Sequence, residues 1–275
     1  MLKTRNGYAG DIDLFRPIIA GQMSQPTATT QRPRPELRHG VIETFLIVDD
    51  APVELDAHLA RLADSVREVY GEEPPDTREL VVSRARGGGL GRMRLTVEPL
   101  RDGGFEFYVV VASVEPDSVF PSRELAANLF TMTVDRGMGA HKWADRAVLE
   151  RAEAMGPRGG VPLLVSEAGE ALEASRGNLF AVRDGRLLTP PLDGRILPGI
   201  ARTRTIELAE GLGIEVGEET IGLSEMRGFE EVFLTGSVRG VEPVGALDGE
   251  DLQVGDEITA RVAAALRERW FGAPA

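Results

Sequence analysis

Hydrophobic residues recur along the chain with two periods, and the switches between them mark out the elements. VIETFLIVDDAPVEL (residues 41–55) is rich in β-branched residues on either side of Asp49-Asp50, and reads as a strand, a turn and a short second strand. Leu55, Leu59, Leu62 and Val66 then fall on one helical stripe, which Gly71 ends. ELVVSRA, RMRLTVEPL and EFYVVVASV carry β-branched residues in alternation and are expected to be strands. GGGLG (87–91) superficially matches a nucleotide loop, but strand-like alternation follows it rather than a helix, so a flexible hairpin is expected there.

In the second half, ADRAVLERAEAMG reads as a helix stopped by Gly156, with Ala147, Leu149 and Ala152 on its partly apolar face. VPLLVSEAGEALEAS, NLFAVRDGRLLTPP and EEVFLTGSVRGVEPVGAL supply strands and hairpins. Between them PGIARTRTIELAEGLG is a helix with Pro198 near its start and Gly211 or Gly213 at its end, and EITARVAAALRERWFG is a last helix. Hairpins outnumber β-α-β crossovers, which favours a mixed α+β architecture over a doubly wound parallel sheet.

The first stretch differs in composition. PTATTQRPRPELR is rich in Pro, Thr and Arg, so residues 1–40 are expected to be an arm or linker. A small α/β domain is expected over 41–132, an interdomain loop over 133–140 and a larger β-rich domain over 141–275. The formal charge of −13 argues against nucleic acid as a partner, although local arginines can still bind a small anion. With no cysteine and three dispersed histidines, thiol chemistry is excluded and no metal site is expected. No apolar run reaches membrane-spanning length and no signal peptide is evident, so a cytoplasmic protein without a membrane partner is expected.

Two features suggest chemistry. Lys3 and Lys142 are the only lysines among 31 basic residues. A nucleophilic amine cannot be replaced by guanidinium, so a lysine retained inside a folded, arginine-rich region is a candidate for Schiff-base chemistry, against the plain alternative of a solvated lysine on a linker. The turn LPGIAR opens onto a helix whose unpaired N–H groups can hold a phosphate without a basic side chain. His58 and Arg61 share a helix face offset from the leucine stripe, and Arg92 and Arg94 share a strand face by period two.

Residues 173–202, EASRGNLFAVRDGRLLTPPLDGRILPGIAR, together with HLARL and AHKWADRAVLERA, resemble the fold-type IV pyridoxal-phosphate enzymes over roughly residues 41–272. That family includes aminodeoxychorismate lyases and the branched-chain and D-amino-acid transaminases. The resemblance implies a two-domain fold, pyridoxal 5′-phosphate as cofactor and a homodimer. It implies that Lys142 links to the cofactor, that Glu173 pairs with the pyridine nitrogen, and that Arg61 binds the phosphate. Main-chain donors of Ile200 and Ala201 and the Ser237 hydroxyl would complete the phosphate site; many relatives have Thr where this chain has Ala201. Thr44 would border the substrate. Arg94 and Arg239 would bind substrate carboxylates, each being equally a surface arginine in a salt bridge. The His-Lys pair and the GSVRG turn resemble the lyases, which implies cleavage of 4-amino-4-deoxychorismate to p-aminobenzoate and pyruvate. The transaminases, acting on branched-chain or D-amino acids with the same lysine and glutamate, are the alternative.

Overall fold

The computed structural model describes residues 37–272 apart from Gly88 and Val254; most of the expected arm therefore lies outside the described residues. Strands β1 (Val41–Val48) and β2 (Ala51–Pro52) form the expected hairpin. Asp49 and Asp50 sit at φ 48° and 66°, the left-handed pair that suits a two-residue hairpin turn. Helix α1 (Leu55–Tyr70) buries Leu62 and Val66 and half-buries Leu55 and Leu59, as the stripe requires, and ends where the Gly71 N–H returns to the Arg67 carbonyl.

ELVVSRA is not a strand. It forms helix α2 (Arg78–Ala85), in which Val81 and Ala85, one turn apart, are both fully buried. The two valines carry β propensity, but burial of the i, i+4 pair against the neighbouring sheet outweighs it. The glycine stretch after it accordingly joins a helix to a strand and is not a hairpin. That strand is β3 (Gly91–Pro99), followed by β4 (Phe105–Ser113). The first sheet has the order β2-β1-β3-β4 and is antiparallel throughout. Its two faces divide by strand period: Val41, Phe45, Ile47, Met93, Leu95 and Val97 pack under α1 and α2, while Thr44 and its register partner Arg94 look the other way.

Strand β5 (Ala127–Val134) was not expected, and it crosses the domain limit expected at residue 132. It pairs with strands far downstream in the second sheet, a connection that no local pattern reveals. The chain continues through α3 (Ala147–Met155), β6 (Val161–Ser166), β7 (Glu170–Ala174), β8 (Gly177–Arg183) and β9 (Arg186–Thr189) to α4 (Ile200–Gly211). Then follow β10 (Val216–Glu218), β11 (Ile221–Gly222), β12 (Glu231–Gly236), β13 (Gly240–Leu247), β14 (Glu250–Asp251) and α5 (Glu257–Phe271). The main path of this sheet is β10-β9-β8-β12-β13-β5-β6-β7-β11, and β7 also pairs with β8. That extra pairing closes β8-β12-β13-β5-β6-β7 into a barrel. β5 lies parallel to both β6 and β13, and the other barrel pairings are antiparallel, so the fold is mixed.

Helices α4 and α5 cover the barrel through a core that includes Ala201, Phe180, Phe233, Val262 and Leu266, and Leu46 of β1 enters the same cluster. The two sheets therefore share buried apolar surface. A second tie lies at the edge of β1. Because β2 pairs only with Ile47 and Val48, the first half of β1 has an open edge. Residues 142–144 fill it: the Ile42 N–H donates to the Lys142 carbonyl at 2.8 Å and the Ala144 N–H to Gly40 at 3.1 Å. Gly40 must be glycine, since at φ 81° a Cβ would lie 1.9 Å from the Val97 carbonyl oxygen.

Candidate active site

A cleft of about 430 Å³ opens between the two sheets, a volume suited to a small cofactor and substrate. Thr44, Arg61, Arg94, Lys142, Glu173, Ile200, Ala201, Ser237 and Arg239 all line it, so the fold gathers every site residue expected from the sequence.

The edge pairing with β1 fixes the backbone of Lys142 and directs its side chain inward. Burial, together with the charges of Arg61 and Arg146, lowers the Lys142 pKa to about 8 against the opposing pull of Glu43 and Glu173. About a tenth of the amine is therefore uncharged at pH 7, far more than for a solvated lysine. Glu173 sits on β7, opposite Asn178 of β8. Its carboxylate accepts the Leu197 N–H at 3.2 and 3.3 Å and the Asn178 amide at 3.3 Å. Burial nevertheless raises its pKa to about 8, with Leu197, Lys142, Arg146 and Arg61 opposing. The site thus keeps an acid and an amine close together with their ordinary pKa values drawn towards one another.

The α4 N-terminus forms a cup. Thr203 is the first residue to donate within the helix, to Gly199 at 3.0 Å, which leaves the N–H groups of Ile200 and Ala201 without helical acceptors. Gly199 lies against Asn178, whose Oδ1 would meet an added Cβ at 1.9 Å, so the cup is built on a close backbone approach. The Asn178 amide also donates to the Leu197 carbonyl at 2.9 Å and so couples the cup to Glu173. Thr235 adds a buried hydroxyl without a hydrogen-bond partner on the cleft wall. Unpaired N–H groups, a hydroxyl and an adjacent buried carboxylate fit a phosphorylated aromatic cation.

Arg61 reaches this cup from α1, where its Nη1 donates to the Pro198 carbonyl at 2.9 Å. Its inward orientation comes from a residue outside the expected set. Glu43 lies on the core face of β1 and accepts Arg61 Nε at 2.8 Å, Arg61 Nη2 at 2.7 Å and His58 Nδ1 at 2.6 Å. A glutamate at an inward strand position, set against a His-x-x-Arg on the covering helix, was the available signal.

Three arginines gather elsewhere in the cleft. Arg92 and Arg94 extend from β3, and Arg146 is held by its bond to the Ser175 carbonyl at 2.7 Å. Burial and the charges of Arg92 and Arg146 lower the Arg94 pKa, and the Arg94 Nε is buried without a hydrogen-bond partner. None of the three forms an ion pair among the described residues. Arg239 differs: it pairs with the buried Glu242 at 2.9 Å, which Arg176 also contacts. Among the described residues no group of three or more His, Asp or Glu side chains could hold a metal ion, and no helix is long and apolar enough to cross a membrane.

The profile of the amino-transferase class IV family matches residues 40–247, well over half of the chain, and the protein belongs to that family. Its fold is that of the fold-type IV enzymes, and pyridoxal 5′-phosphate is the family's cofactor. A branched-chain-amino-acid aminotransferase of Salmonella typhimurium is 39% identical over 100 residues, 36% of this chain. That match spans about a third, 32%, of the relative's length. A putative branched-chain-amino-acid aminotransferase of Methanocaldococcus jannaschii is 28% identical across 81% of this chain and 84% of the relative. Among solved structures, a fold IV transaminase of Curtobacterium pusillum superposes with TM-score 0.73 at 26% identity, covering 89% of this chain and 90% of that one. The 4-amino-4-deoxychorismate lyase of Pseudomonas aeruginosa superposes with TM-score 0.69 at 25% identity, covering 88% and 96%.

Proposed function

We propose that this chain is a pyridoxal-phosphate-dependent 4-amino-4-deoxychorismate lyase that releases p-aminobenzoate and pyruvate. The observation that carries the reading is the Arg92, Arg94 and Arg146 cluster: a cleft offering several guanidinium groups without carboxylate partners among the described residues suits a substrate bearing two carboxylates. Lys142, Glu173, Arg61, Ser237 and the N–H groups of Ile200 and Ala201 are the residues proposed to hold the cofactor. When bound, it supplies an electron sink for charge developing on the carbon that carries the substrate amine. The Lys142 amine, lowered to a pKa of about 8, is suited to removing a proton from that carbon and returning one to the departing pyruvate enol. Glu173 is the residue that would face the ring nitrogen and favour its protonated form. Loss of the enolpyruvyl group leaves an aromatic ring, which drives the step.

Arg94→Ala is expected to weaken turnover of aminodeoxychorismate by about 1–3 kcal/mol of transition-state binding, the range for a lost charged hydrogen bond. Steady-state kinetics give this from kcat/KM. Since Arg239 already has a carboxylate partner in Glu242, its removal is expected to act through the turn that carries Ser237.

A second reading, a class IV aminotransferase for branched-chain or D-amino acids, is favoured by the names of the sequence relatives. Purified protein incubated with aminodeoxychorismate, and separately with leucine or D-alanine plus a 2-oxo acid, separates the two. Transamination faster than release of p-aminobenzoate would replace the lyase reading.

We also propose that the protein is a homodimer. On β4, Val110 is the register partner of Arg94 and is 57% exposed, and Phe107, Tyr108 and Val111 are exposed beside it. An apolar strand at a sheet edge is a template for association unless it is covered. The wild type is expected to sediment as a dimer at micromolar concentration, and Val110→Glu is expected to weaken the dimer at least about tenfold by introducing a charge into the contact.

A further inference from the structure

On the face of β1 turned away from the cleft, a carboxylate occupies a position where Val41, Phe45 and Ile47 set an apolar pattern. Glu43 is 1% exposed there, and His58, equally buried, meets it from α1. A buried carboxylate with no compensating partners would be strongly unfavourable. This one accepts three charge-assisted or short hydrogen bonds, two from the Arg61 fork and one from the His58 ring. Burial alone would raise the Glu43 pKa, but the charges and hydrogen bonds of Arg61 and His58 bring it down to about 2. Burial lowers the His58 pKa as well, against the pull of Glu43, and because the ionised Glu43 carboxylate can only accept, Nδ1 is the donor in their contact.

The charges nearly cancel, yet the geometry is specific. A guanidinium has five N–H bonds. Two of those on Arg61 go to Glu43 and one to the Pro198 carbonyl, next to the glycine that begins the α4 cup. Two remain, on a group that lines the cleft with Gly199, Ile200 and Ala201. The carboxylate therefore reduces the net positive charge of Arg61 while it fixes the orientation of its remaining donors.

We propose that Glu43, capped by His58, is a positioning residue for phosphate binding: it locks the Arg61 fork beside the α4 N-terminus so that recognition rests on directed N–H groups. The proposal rests on the reading of this cleft as the pyridoxal-phosphate site. It opposes a charge-only view, in which removing Glu43's negative charge would tighten the hold on an anion. It also differs from a purely structural role, which would weaken all ligands of the cleft alike.

The test compares the affinity of pyridoxal 5′-phosphate with that of pyridoxal, which lacks the phosphate, by absorbance titration of the cofactor-free protein. Wild type is expected to prefer the phosphorylated form strongly. Glu43→Gln is expected to lower that preference at least about tenfold with pyridoxal affinity little changed. Glu43→Asp keeps the charge and withdraws the carboxylate by one methylene, and is expected to lower the preference severalfold; it decides the question if Glu43→Gln does not fold. An unchanged or increased preference in the folded variant, or an equal loss for both ligands, overturns the positioning role. Failure of the wild type itself to bind pyridoxal phosphate would instead overturn the cofactor assignment.

Discussion

Lys142→Ala is expected to abolish turnover, by about 10⁴-fold or more, while the protein still folds. In the proposed function this side chain has two duties that no neighbour can take over: covalent attachment of the cofactor and proton transfer. Arg61 and Arg146, the nearby cations, carry guanidinium groups, which do not serve as nucleophile or base. The backbone at position 142 is set by main-chain bonds to β1, which the substitution leaves in place. Cofactor is expected to remain bound through its phosphate but without a covalent link. Borohydride reduction followed by peptide mapping checks this: wild type should carry the pyridoxyl label on Lys142 and the variant none. A label found elsewhere removes Lys142 from the proposed role.

Glu173→Gln is expected to have the next largest effect, and it should act in opposite directions on activity and stability. A neutral amide cannot keep a pyridinium nitrogen protonated, so turnover should fall by about 10²- to 10⁴-fold. In the cofactor-free protein, however, the carboxyl is buried and its pKa is raised from 4.5 to about 8. Between those two values the folded state binds more protons than the unfolded chain, so stability declines as pH rises through this window and levels off above it. At about 1.4 kcal/mol per unit, the glutamate lowers apo stability by about 2–5 kcal/mol above pH 8. The glutamine variant lacks that dependence. Urea unfolding of both apo proteins at pH 5 and pH 9 should show a more stable variant only at the higher pH. Equal pH dependence in the two proteins would mean that the Glu173 carboxyl does not titrate as described.

Local patterns revealed much of the site because several of its parts are short-range. The helix opening at Ile200, the Glu173 hairpin and the stripe that places Arg61 on α1 are each specified within a few residues. Lys142 stood out by composition, since a chain that uses arginine nearly everywhere retained an amine there. ELVVSRA misled because its two adjacent valines suit a strand, and only the surface against which Val81 and Ala85 pack decides for a helix. Arg239 looked available in GSVRG, yet Glu242 lies three residues on, in β13, with its buried carboxylate within reach of the guanidinium.

The sequence by itself determined the helices with strong stripes, the Asp-Asp hairpin, the mixed architecture and the kind of chemistry. All of these rest on interactions between residues close in the chain. Tertiary structure alone decided which sheet receives β5, how β7 and β8 close the barrel, and which cleft arginines lack a carboxylate partner among the described residues. It also decided that Glu43 is a partner of Arg61 while its neighbour Thr44 faces the cleft. Those outcomes depend on pairings between distant segments and on what lies behind each side chain, so the same residue type lines the cleft in one place and is a buried counter-ion in another.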